Sequence, residues 1–224
     1  MPYNLRKNTF DGALKKIINK FAKLNEEYET YAEDAAHWYN EATSTSLLSV
    51  AAWQCGHPAL CETSSVKRVY TGGRGRPRNS YGRVDLFLYE ENDAELWVEA
   101  KKASSSFDAS SDSVYPPSSS ILTRWMNRAW ASSEQNRAAA RENQGVLCSL
   151  LFLSFRLNDA YYAEDGSDGP RLERISSINA TLETFAQENE CVFASFFSSA
   201  RVEIEDGYGF RPIGFAVIGY VEDA

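Results

Sequence analysis

Cysteine is sparse in this 224-residue chain: four residues, Cys55, Cys61, Cys148 and Cys191, without the dense spacing of a framework. That excludes a small disulfide-stapled scaffold and favours an intracellular setting. Cys55, His57 and Cys61 lack both zinc-ligand spacing and an evident fourth ligand, so they read as two thiols and a loop histidine. Long hydrophobic runs are also missing. The longest, Val146 to Phe155, is half the roughly 20 residues that a membrane helix needs, so no span is expected. Residues 1–8 carry no apolar segment of the kind that directs secretion, and a cytoplasmic location is expected. Positive charge is short too, with 23 Lys+Arg against 31 Asp+Glu, a net charge of -8 and a pI near 4.9. Averaged over the chain, that balance argues against a nucleic-acid partner.

What is present is an ordinary globular composition, 43% hydrophobic and 24% charged, long enough for one large domain. Phe10, Leu14, Ile17, Ile18, Phe21 and Leu24 recur at helical spacing, and a second helix is expected from about Tyr31 through Glu41 to Trp53. Short strands follow at 65–70 and 83–89. In the latter, Val84, Leu86 and Leu88 fall on one face and Arg83, Asp85 and Phe87 on the other. A third strand, 95–101, completes a hairpin. Residues 104–120 hold nine serines and Pro116-Pro117 and read as a loop. A helix over 121–144, a buried strand over 146–155, an acidic loop around Glu164–Asp168, a helix over 175–189 and strands over 192–197 and 213–221 complete the order. The order predicts an α/β fold, a three-layer sandwich around a central mixed sheet.

Alternation places Glu99 and Lys101 on one face of their strand, and the neighbouring strand can bring Asp85 beside Glu99. Two carboxylates at one point repel and call for a cation between them. Hard oxygen donors suit Mg²⁺ or Mn²⁺. A lysine two residues on adds positive charge where a phosphate would bind.

Gly82-Arg83-Val84-Asp85, then thirteen residues, then Glu99-Ala100-Lys101 resembles the PD-(D/E)XK nuclease superfamily, with Val84 where the name-giving proline would stand. The resemblance implies a restriction-endonuclease-like αβββαβ core over 35–155. A helical extension (1–32) would precede it, and a C-terminal helix and strands (156–224) would complete the sheet of a single domain. It implies Asp85 and Glu99 as metal ligands assisted by the Ala100 carbonyl, and Lys101 as the residue that orients or activates water. Glu41 would be a further metal or water ligand, a role for which Glu33, Asp34 and Glu62 compete. Gln135 and Lys102 are accessory candidates. His37, one turn before Glu41, reads as a helix-surface residue.

Between Lys67 and Arg83 lie six basic residues and no acid, which leaves the rest of the chain at -14. Arg68, Arg74, Arg76, Arg78 and Arg83 are therefore candidate nucleic-acid contacts, able to neutralise phosphates. Arg74-Gly75-Arg76-Pro77 resembles the core of an AT-hook; a basic loop making phosphate contacts is the plainer reading. Arg124, Arg128, Arg137 and Arg141 either extend that surface or form a solvated helix face. Trp125 and Trp130 read as packing residues. The expected function is a Mg²⁺-dependent nuclease, with DNA favoured over RNA. A homodimer or a partner recognition subunit would supply specificity. The alternatives are a nuclease-like fold that only binds nucleic acid or a partner protein, and a hydrolase of small phosphodiesters.

Overall fold

The computed structural model describes residues 3–69, 78–89, 95–107, 119–158, 169–198 and 210–223. A short strand β1 (Leu5–Asn8) leads into α1 (Gly12–Ala32), a 3-10 turn at Ala36–Trp38 and α2 (Glu41–Gln54). Strands β2 (Ala59–Val69), β3 (Arg78–Tyr89) and β4 (Glu95–Phe107) follow. Next come α3 (Ser119–Glu134), α4 (Arg137–Glu142), β5 (Val146–Asn158), α5 (Gly169–Glu188), β6 (Val192–Phe197) and β7 (Phe210–Asp223). All seven strands join one mixed sheet in the order β1-β6-β7-β5-β4-β3-β2. Only β4 and β5 run parallel, and α3 with α4 supplies the crossover that parallel neighbours require.

β5 lies in mid-sheet and is buried on both faces, which is why it reads as an almost unbroken apolar run. Leu150 and Phe152 face one side, where Ile17, Ile18 and Phe21 of α1 and Leu48 and Ala51 of α2 cover them. Leu151, Leu153 and Phe155 face the other, against Leu122 and Met126 of α3 and Ile175, Ile178 and Leu182 of α5. Each such fully buried side chain contributes about 1.5–3 kcal/mol of hydrophobic free energy. The result is the expected three-layer α/β sandwich. Among the described residues no helix is long and apolar enough to cross a membrane.

Several boundaries differ from the sequence reading, each for a local reason. Residues 5–8, expected within a helical extension, form an edge strand paired with β6. The helix expected from Tyr31 to Trp53 is interrupted. α1 ends on Glu33 in a left-handed conformation (φ 52°), and α2 starts afresh where the Asn40 side chain accepts the Thr43 N–H. The serine run starts as strand, not loop: Ser104–Phe107 continue β4 and pair in register with β5, a backbone interaction indifferent to side-chain polarity. Residues 108–118 lie outside the described residues, as does the acidic loop 164–168.

Gly214 sits where β7 passes the bulge between Phe155 and Arg156 of β5. Its φ of +147° suits glycine, and a Cβ there would lie 2.1 Å from the Phe196 carbonyl oxygen and 2.8 Å from the Phe197 Cα. Both are backbone atoms paired in the ladder, so neither can move aside. Gly214→Ala is expected to cost about 3 kcal/mol or more, read as a drop in the urea midpoint at unchanged slope.

Candidate active site

The ladder between β3 and β4 covers only Leu86–Tyr89 against Glu95–Val98 and stops at Asp85. On the other side of β3, Cys61 pairs with Leu86 and Thr63 with Val84. Between them the pairing skips Glu62, which holds a left-handed φ of 54°. The alternation breaks at the same place. Val84 packs with Phe87, Trp97, Ala140 and Leu147, not with Leu86 and Leu88 as strict alternation had placed it. Asp85 thus stands at the point where the two strands part. Its Oδ2 accepts the Ala100 N–H at 2.8 Å, a side-chain carboxylate in place of the ladder carbonyl.

Lys101 reaches into the same gap. Its ammonium donates to Glu41 Oε1 at 3.2 Å and to the Ala100 carbonyl, and lies 3.9 Å from Asp85 Oδ2. Glu41 is in the first turn of α2, where the helix N-terminus favours a carboxylate. Of the four acids that competed for this role, Glu41 meets Lys101. Glu33 ends α1, Asp34 accepts from Tyr39, and Glu62 pairs with Arg83 at 3.4 Å.

Glu99 is engaged elsewhere. Its side chain is 3% exposed, and one oxygen, Oε1, accepts from both Lys67 Nζ and Asn136 Nδ2, each at 2.7 Å. The Ser65 hydroxyl donates to Asn136 Oδ1 at 2.8 Å and fixes that amide. Burial pushes the Glu99 carboxyl above its usual range. The Asp85 charge adds to the rise, while Lys67 and Asn136 oppose it. Glu99 and Lys101, neighbours on one strand, therefore address different partners.

Lys67 and Asn136 are the residues that sequence reasoning missed. In the sequence Lys67 is one more charge of the basic stretch, and Asn136 lies inside a stretch whose pattern predicts one helix, 121–144. That helix divides into α3 and α4 at Gln135–Asn136, and Asn136, fully buried, carries the contact to Glu99. A break in helical polarity at Gln135-Asn136 was the available signal. The sequence pointed to Gln135, one residue away.

Lys102 leaves the site. It donates to the His37 carbonyl and the Ser154 hydroxyl, and burial lowers it to about 7. His37 is itself buried at 3% exposure, in contact with Glu29, and not on a helix surface as expected. The folded state thus holds Lys102 largely neutral between pH 7 and 10.5, where the unfolded chain keeps it charged. Stability should rise with pH across that window by up to about 1.4 kcal/mol per unit. Lys102→Met is expected to flatten that slope, measured as urea midpoints at pH 7 and 9.5.

Of the arginines, Arg68 and Arg78 lie at the end of the β2–β3 ladder, Arg83 is exposed, and Arg74 and Arg76 lie outside the described residues. Arg124 and Arg128 are exposed on α3, whereas Arg137 is held by Glu134 and Glu222 at 2.6 and 3.0 Å. Trp130 stacks edge-on against Tyr220 with ring centres 4.6 Å apart.

No family model, curated protein or solved structure matches the chain. The chemistry of the donors therefore decides what the gap can hold. Two carboxylates and a peptide carbonyl surround one positive centre, the Lys101 ammonium. These are hard oxygens of the chemical kind that Mg²⁺ and Mn²⁺ take. Among the described residues, no group of three His, Cys, Asp or Glu stands close enough together to hold a metal. Protein ammonium groups supply the positive charge instead.

Proposed function

We propose that the chain is a divalent-metal-dependent nuclease of the PD-(D/E)XK type, acting on DNA. The observation that carries this reading is the meeting of Glu41, Asp85, the Ala100 carbonyl and Lys101 where β3 and β4 part. Four residues from three segments, the helix α2 and the strands β3 and β4, converge there, which chance clustering of surface charge does not require. The element order around them supports the same reading: a helix, three antiparallel strands, a helical crossover, and a strand parallel to the third.

Asp85, Glu99, Glu41 and the Ala100 carbonyl are the groups that would hold Mg²⁺ or Mn²⁺. The ion would supply charge neutralisation at phosphate and a water of lowered pKa. Lys101, freed from the carboxylates, orients the attacking water or holds a phosphate oxygen as charge develops. Asn136 fixes the Glu99 carboxylate in one orientation. The basic stretch that includes Arg68, Arg78 and Arg83 lines up the polyanion beside it.

The Lys67–Glu99 pair favours a second reading, a nuclease-like fold that binds nucleic acid or a partner without cleaving it. There Lys67 is a permanent structural counter-ion and the centre is silent. Incubation of plasmid, linear duplex, single-stranded DNA and RNA with Mg²⁺, Mn²⁺ or EDTA separates the two. Cleavage of DNA that EDTA abolishes is the expected result. Retarded mobility with no turnover under any metal would favour the binding module.

A further inference from the structure

The Lys67–Glu99 contact is built, not incidental. In the β2–β3 ladder Lys67 stands opposite Ser80 and Ser65 opposite Gly82, so Gly82 lies diagonally between Lys67 and the site. A Cβ on Gly82 would lie 2.7 Å from Lys67 Cδ and 3.0 Å from its Cγ and Cε. The lysine stem therefore crosses β3 over the one residue with no side chain to obstruct it. Its ammonium ends 2.7 Å from a carboxylate oxygen that is also tied to Asn136. Glu99 is 3% exposed but the Lys67 side chain is 15% exposed, so the lysine has a way out and the carboxylate does not.

A divalent cation and this ammonium cannot both sit on Glu99. At such separations like charges repel strongly even at the higher effective dielectric of a protein surface. Resting on the metal-site reading above, we infer that Lys67 is the resident counter-ion that a divalent cation displaces from Glu99, and that the displaced ammonium then binds the substrate phosphates. Lys67 opens the basic stretch of the sequence, so the freed charge stays on the β2–β3 ribbon that carries it. Cation and polyanion are thereby coupled: the cation releases a phosphate-binding group, and the polyanion, by holding that group away, lowers the cost of cation entry. Linkage makes the coupling equal in both directions. The protein then assembles a competent centre only when metal and polyanion are both present.

Mn²⁺ binding to the full chain tests this, measured by loss of the free-ion EPR signal with and without a phosphorothioate DNA duplex that resists cleavage. The relevant site is the one abolished in Asp85→Asn. Lys67→Met is expected to bind Mn²⁺ about tenfold more tightly than the wild type in the absence of DNA. The duplex should tighten wild-type binding about tenfold and leave Lys67→Met almost unchanged. Gly82→Ala, which keeps the charge but blocks the path of the stem, should share the tighter DNA-free binding, and it decides the matter if Lys67→Met does not fold. Equal Mn²⁺ affinities for wild type and variants, or the same response to DNA in both, would overturn the displacement while leaving the metal site standing. Absence of Mn²⁺ binding by all of them would overturn the metal site and the inference together.

Discussion

Lys101→Ala and Asp85→Asn are each expected to lower the DNA cleavage rate by about 10²–10³-fold or more without loss of fold. The two act for different reasons. Among the described residues Lys101 is the ammonium that contacts the Glu41 and Ala100 oxygens, and its side chain is about a third exposed, so truncation costs little packing. Asp85 accepts the Ala100 N–H, and an asparagine with its oxygen on that side keeps the hydrogen bond while losing the charge. Folding is checked by circular dichroism and urea midpoint, and rate by plasmid nicking at saturating Mg²⁺. A variant that folds and cleaves within a few-fold of wild type would remove its residue from the centre. Glu41→Gln should sit between these and wild type, since Glu41 touches the site from a helix terminus and is half-buried.

Much of this arrangement is legible in the residues because it is local. Alternation in β4 and in β3 beyond Asp85, the apolar run of β5 and the helical periodicity of α1 each follow from which face is covered, and burial writes that pattern directly. Asp85, Glu99 and Lys101 are found by their spacing across one hairpin. The illegible parts depend on pairings between distant segments. β1 has no strong strand signature of its own and exists because β6 offers it an edge. Ser104–Phe107 are strand because β5 continues alongside. The partition of the site's cations, Lys101 to Glu41 and Lys67 to Glu99, requires knowing that Gly82 leaves a path across β3 and that α3 breaks at Asn136. No period or propensity encodes either. Whole-chain charge misled for a related reason, since it averages the basic stretch of β2–β3 into an acidic body.

Removing Lys67 is expected to cost stability as well as to change cation binding, and the pH dependence separates the two. In Lys67→Met the Glu99 carboxylate, 3% exposed in the wild type, keeps the Asn136 amide as a donor but loses its counter-charge, and an unpaired buried charge of this kind costs about 3 kcal/mol. Burial already raises Glu99 above its ordinary 4.5, so the folded state retains this proton to a higher pH than the unfolded chain does. Stability contributed by Glu99 therefore falls as pH rises from about 4.5 through the raised value, and not in the opposite sense. Taking away Lys67, whose ammonium opposes that rise by hydrogen bond and charge, pushes the carboxyl higher and lengthens the window. The deficit of Lys67→Met relative to wild type should consequently be near zero below pH 4.5 and grow to its full size by pH 8. Glu99→Gln removes the charge altogether, so the Lys67→Met/Glu99→Gln double variant should recover about 2 kcal/mol of the loss at pH 8 and show no such pH dependence. Urea unfolding of the four proteins at pH 4.5 and 8 completes the cycle. A Lys67→Met deficit equal at both pH values would mean that the lysine contributes by its packed stem over Gly82, with its charge on Glu99 immaterial.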